Sequence, residues 1–133
     1  MRKWGSRSLA VHAQLTPNLQ WVMDTLLKEA GDISLVCGHR NEQEQNALYP
    51  KYSKVKWPNG KHNSLPSRAV DFQPYPYPSD DKVLWASLAY YAGRAIEIGK
   101  SAGITLRWGG DWNGDGNMVD TEFYDLFHLE ETT

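Results

Sequence analysis

Lys61–Gln73 reads KHNSLPSRAVDFQ, and its second half decides the fold. Apolar and polar residues alternate from Arg68 to Gln73. A strand there sets Val70 and Phe72 on one face and Ala69, Asp71 and Gln73 on the other. A strand with one apolar face needs other elements to cover it, so the fold is built around a layered sheet. The same stretch raises a chemical question. His62, one of four histidines, stands nine residues before Asp71, with Pro66 in the loop between them. A solvated loop leading to a surface acid is one reading, and a pair of metal ligands is the other.

The flanking elements follow from periodicity and punctuation. Thr16-Pro17 is a helix start, with a cap and then proline in the first turn. Leu19, Val22, Met23, Leu26, Leu27 and Ala30 then recur at helical spacing, and Gly31 stops the run. Ile33–Cys37, ISLVC, reads as a buried strand, and Asn41–Tyr49, NEQEQNALY, as a short helix. Pro74–Pro78, PYPYP, must be extended and cannot be a central strand. Ser79 can cap a long helix running to about Lys100 and ended by Gly103. Ile104–Trp108 reads as a strand, the stretch from Gly109 to Asp120 as a polar loop, and Leu126–Glu130 as a last strand. The order is helix, strand, helix, strand, helix, strand, strand. It predicts an α+β fold with a small, mostly antiparallel sheet, helices packed on one face and a cleft on the other.

Composition bounds the function. A chain of 133 residues is expected to form one domain, with a core that needs no disulfide. A net charge of -2 gives no basic field for nucleic acid or anionic lipid, so neither is an expected partner. The single cysteine, Cys37, is expected to be a buried free thiol. No segment approaches the roughly 20 apolar residues that span a bilayer. The N-terminus lacks the apolar run of a signal peptide, so the expected starting place is a cytoplasm.

The far end of the chain bears on the opening question. If the last strand begins near Phe127, then Phe127 and Leu129 face the core, while His128 and Glu130 take the other face. Asp125 would lie in the turn leading in, free to lean over that face. His62, Asp71 and His128 together make the ligand inventory of an open catalytic zinc. Such an ion can bring the pKa of a water from about 15.7 to near 7. Asp125 is the candidate base to take the proton of that water.

Four stretches occur in order: Cys37–Tyr49 (CGHRNEQEQNALY), Lys61–Pro76 (KHNSLPSRAVDFQPYP), Arg107–Trp112 (RWGGDW) and Tyr124–Glu130 (YDLFHLE). With them, the chain from about Ser34 to Glu130 resembles the zinc peptidases related to D-alanyl-D-alanine carboxypeptidases and the L-alanyl-D-glutamate peptidase endolysins of bacteriophages. The resemblance is closest to the short phage members. It implies zinc on His62, Asp71 and His128, Asp125 as general base, and Arg40 facing the substrate. It also implies peptidoglycan as substrate, a monomer, and an enzyme held in the host cytoplasm until lysis. Two departures stand out. Many relatives carry Ser two residues before the first ligand, where this chain has Gly60, and the spacing from His62 to Asp71 is longer than in much of the wider family. His39 could line the cleft; His12 is read as structural.

A second motif is legible without any family. Asp111–Glu122, DWNGDGNMVDTE, fits the calcium loop of EF-hands at every defined position. Asp111, Asn113 and Asp115 would supply side-chain oxygens, Asn117 its carbonyl, and Glu122 two oxygens, with Gly116 at the sharp turn. The entering segment looks like a strand, so the loop would lack its usual helix pair. Three classes therefore stand: a zinc peptidase of the bacterial wall, a non-catalytic wall-binding module, and a calcium-binding protein. Within the first, the bond cut is L-alanyl-D-glutamate or, as the alternative, one to a terminal D-alanine.

Overall fold

The computed structural model describes residues 1–118 and 124–132. Four helices are α1 (Ser6–His12), α2 (Pro17–Glu29), α3 (Glu42–Leu48) and α4 (Asp81–Ser101). Four strands are β1 (Ile33–Cys37), β2 (Ala69–Pro74), β3 (Leu106–Trp108) and β4 (His128–Glu131). They form one open antiparallel sheet in the order β1-β2-β4-β3, so the α+β expectation holds. β2 and β4 are its central strands.

Register separates the two faces. Val70 pairs with Leu129 and Leu129 with Trp108, while Leu35 pairs with Phe72. These side chains are almost fully buried and belong to one core with Leu19, Val22, Met23 and Leu26 of α2 and Leu84, Leu88 and Ala92 of α4. On the other face, Asp71 pairs with His128, and Glu130 lies between Ala69 and Arg107. The alternation read from the sequence is therefore the division between core and cleft.

α2 begins as expected, with the Thr16 hydroxyl accepting from the Leu19 amide. Several details differ from the sequence reading. α4 is capped by Asp80, not Ser79: the carboxylate accepts from the amides of Lys82 and Val83. β1 is half-buried, because it is an edge strand and Val36 turns out to solvent. The last strand starts at His128, although Phe127 still pairs through its carbonyl with the Phe72 amide. α1 was not foreseen. It carries almost no apolar periodicity, and its one buried residue, Ser8, accepts a hydrogen bond from the Leu35 amide.

Candidate active site

β1 and β2 pair as Leu35 with Phe72, but the next pair is Cys37 with Asp71, so Val36 is an extra residue in the ladder. Such a bulge re-aims the side chains beyond it. Here it turns Cys37 toward Asp71 and starts the bend that carries Gly38 and Arg40 over the sheet. A 3-10 turn, Lys61–Asn63, brings His62 to the same place. Its backbone is fixed by Arg40, whose amide donates to the His62 carbonyl at 2.7 Å.

Three ligand-type atoms converge there. His62 Nε2 lies 3.2 Å from Asp71 Oδ1 and 3.2 Å from His128 Nδ1, and His128 Nδ1 lies 3.4 Å from Asp71 Oδ1. The outer ring nitrogens are both occupied. His62 Nδ1 donates to the Gly38 carbonyl at 2.6 Å, and His128 Nε2 donates to Glu130 Oε1 at 2.8 Å. Once an ion displaces the inner proton of each ring, these bonds leave the lone pairs of His62 Nε2 and His128 Nδ1 toward the centre, the arrangement that holds histidine ligands in place. A tetrahedral ion with bonds of about 2.0–2.2 Å needs ligand atoms about 3.3–3.6 Å apart, so the three atoms could hold one. Among the described residues, two groups of metal-type side chains form, Asp71–Asp125–His128 and Cys37–His62–Asp71, and both centre on Asp71.

Charge within the cluster follows from these contacts. Burial pulls His62 down, but hydrogen bonds and charge from Asp71, with help from Cys37, more than reverse this and raise it to about 10. Burial would push Asp71 up, yet hydrogen bonds from His128 and His62 hold it well below the usual carboxylate range. His128 is likewise raised, because its bonds to Asp71 and Glu130 outweigh burial. Glu130 is held down to about 2, since hydrogen bonds from His128 and Arg107 overcome burial. Asp125 moves the opposite way. Burial, and then the charge of Asp71, raise its carboxyl. Asp125 Oδ1 accepts from the Phe127 amide at 3.1 Å.

Gly109 makes that placement of Asp125 possible. Its amide donates to the His128 carbonyl, and its carbonyl accepts from the Asp125 amide at 2.9 Å. A Cβ on Gly109 would sit about 2.0 Å from the Asp125 carbonyl oxygen, so no other residue fits without moving the turn.

Arg40 reaches the cluster from above. Its guanidinium donates to Gln45 Oε1 at 3.1 Å and lies 3.7 Å from both Asp71 Oδ2 and Cys37 Sγ. Gln45 is 1% exposed and also donates to Ser53 Oγ and the Val55 carbonyl. Asn63 donates to Gln45 Oε1 and to the Arg40 carbonyl, and its own Oδ1 accepts from the Gly60 amide. A Cβ at Gly60 would meet that oxygen at 2.7 Å, so the Asn63 amide occupies the space a serine there would use. The cleft of about 560 Å³ beside the cluster is lined by Arg40, Lys54, Lys61, His62, Trp112, Asp125, His128 and Glu130, among others.

The remaining histidines lie apart. His39 Nδ1 bonds the Ser64 carbonyl, and His39 is absent from the cleft lining. His12 pairs with Asp24 at 2.9 Å, which suits a structural role. Gln45, Asn63 and the bond of Glu130 to His128 were not read from the sequence. Cys37 was expected to be a buried thiol, but it is partly exposed beside His62.

The polar loop is described as far as Met118. Asp111 Oδ2 accepts from the Gly116 amide, Asn113 Oδ1 from the Asp115 amide and Asp115 Oδ1 from the Asn117 amide. Asp111 Oδ1 is buried with no hydrogen-bond partner, and Gly116 has φ 83. Glu122 and Asp120 lie outside the described residues, so closure of the loop is not seen.

The family model of the phage L-alanyl-D-glutamate peptidase matches residues 1–132. An L-alanyl-D-glutamate peptidase of Escherichia phage T5 is 32% identical over 136 residues, covering 96% of both chains. The crystal structure of the Serratia marcescens L-Ala D-Glu endopeptidase ChiX superposes with a TM-score of 0.72, covering 96% of this chain and 87% of that one. At 21% identity it speaks for the fold. The chain belongs to the phage L-alanyl-D-glutamate peptidase family.

Proposed function

We propose that this is a zinc peptidase that hydrolyses the L-alanyl-D-glutamate bond of peptidoglycan stem peptides and serves as an endolysin in host lysis. The observation that carries the reading is the triangle of His62 Nε2, Asp71 Oδ1 and His128 Nδ1, with edges of 3.2, 3.2 and 3.4 Å. These atoms would hold the ion, and the Gly38 carbonyl and Glu130 carboxylate would keep both rings in the binding tautomer. Zinc bound there supplies a Lewis acid and a water of near-neutral pKa.

The chain's own groups do the rest. Asp125 has one oxygen tied to the Phe127 amide, which leaves Oδ2 to take a proton from the attacking water. Its raised pKa brings it closer to working pH, and the same carboxyl then passes the proton to the leaving amine as the C–N bond breaks. Arg40, held by Gln45, offers a planar cation to the oxygen on which charge develops. Every group named here comes from one chain, which fits a monomer.

Calcium is the second part of the reading. The buried, unpartnered Asp111 Oδ1 and the turn at Gly116 support a cation in the Asp111–Glu122 loop, with Asn113, Asp115 and Asn117. Trp112 in that loop packs on His128 with ring centroids 5.3 Å apart, so a change in the loop would reach the zinc cluster. Calcium would thereby favour the competent form.

Mass spectrometry of digested peptidoglycan tests the function. Fragments with a free D-glutamate amine and a free L-alanine carboxyl are expected. Release of D-alanine alone would overturn the choice of bond.

A further inference from the structure

One wall of the cleft plays no part in the proposed chemistry. Residues 49–61 carry Lys51, Lys54, Lys56 and Lys61 with no Asp or Glu, in a chain whose net charge is -2. Lys54 and Lys61 line the cleft, whereas its other lining residues include Asp125 and Glu130. A cleft meant only to hold an ion and a water needs no such cations.

The substrate supplies a reason. A glutamyl residue on the leaving side of the cut bond has two carboxyl groups, and whichever continues the chain, the other is free. That anion has to sit close to the scissile nitrogen while avoiding Asp71, Asp125 and Glu130. Arg40 and Arg107, which also line the cleft, are committed elsewhere. Arg40 is bound to Gln45 and paired with Asp71, and Arg107 pairs with Glu130 at 2.6 Å and stacks over Trp112.

Lys61 is differently placed. It opens the 3-10 turn in which His62 is next, and its carbonyl accepts from the Arg68 amide at 3.0 Å, so its backbone is fixed. Three residues per turn set successive side chains about 120° apart. His62 therefore points to Asp71 and His128, while Lys61 diverges from them yet still lines the cleft. Lys61 is partly buried and Lys54 is exposed, so Lys61 meets a ligand anion with less solvent screening.

We propose that Lys61 is a specificity-determining residue that binds the free carboxylate of the glutamyl residue, with Lys54 adding longer-range attraction. This rests on the peptidase reading of the cleft. The test compares two synthetic stem peptides, one with D-glutamate and one with D-isoglutamine, its α-carboxamide. Wild type should prefer the acid, and Lys61→Met should lower kcat/KM on the acid roughly ten- to a hundredfold while leaving the amide nearly unchanged. Lys61→Arg should restore most of the preference. An equal loss on both peptides, or an unchanged preference in Lys61→Met, would overturn the inference while leaving the peptidase intact. Failure of wild type to cut either peptide would overturn the peptidase reading itself, and this inference with it.

Discussion

Asp125 and Glu130 show how two carboxylates on one stretch of chain acquire opposite properties. Asp125 is half-buried near another anion, Asp71, and its carboxyl is raised. Glu130 is bound by His128 and Arg107, and its carboxyl is held at about 2. Asp125→Ala should retain zinc and lose turnover by about 10²–10⁴-fold, since a base need not be a ligand. A zinc-free variant would move Asp125 into the ligand set. Glu130→Gln should weaken zinc by about 10–100-fold, as loss of a histidine's carboxylate partner does. It should also change acid stability. A carboxyl whose folded pKa lies below its ordinary 4.5 stabilises the fold above pH 4.5 and loses that contribution as pH falls toward 2. Metal-free wild type should therefore lose stability over that window more steeply than metal-free Glu130→Gln, as followed by urea unfolding. Parallel curves would contradict the pairing. His62, Asp71 and His128 were legible because alternation in a strand, and a histidine in a loop before it, are local signals. Gln45 and Asn63 were not, because each becomes meaningful only through partners far along the chain, such as Val55 and Arg40.

At the level of elements, the bulge in β1 and the close turn at Gly109 position the site. Neither is a property of its own segment. The bulge exists because β1 must pair with β2, and ISLVC alone carries no sign that Val36 will be left out of register. The glycine pair in RWGGDW was visible, but its reason lies in the Asp125 carbonyl that passes against Gly109. Gly109→Ala should cut kcat at least tenfold by displacing Asp125, while zinc content stays near wild type. A fully active Gly109→Ala would show that the turn tolerates the shift and that Asp125 is not held by this contact. The long helices were readable from their apolar spacing, and their ends were less so. Asp80 outcompetes Ser79 as cap because its carboxylate reaches two amides.

Across the whole molecule, strand order was beyond the sequence. β4 inserts between β2 and β3, which brings His128 opposite Asp71 although 57 positions separate them in the chain. Fold class needed only the kinds and order of elements, and so it was recoverable. The loop proposed to take calcium is the other whole-molecule question, since it lies between β3 and β4 in the chain. Titrating calcium into zinc-loaded protein should raise peptidoglycan hydrolysis in wild type and do so much less in Asp115→Ala. Activity that ignores calcium in both would remove any regulatory role from the loop.

His62, Asp71 and His128 are proposed to hold the ion that makes this chain a peptidase. Zinc per chain, measured by mass spectrometry on native protein, tests this assignment most directly in wild type and Asp71→Ala. A single zinc is expected in wild type, and a nearly empty Asp71→Ala that remains folded. Full zinc in Asp71→Ala, or none in an active wild type, would contradict the assignment.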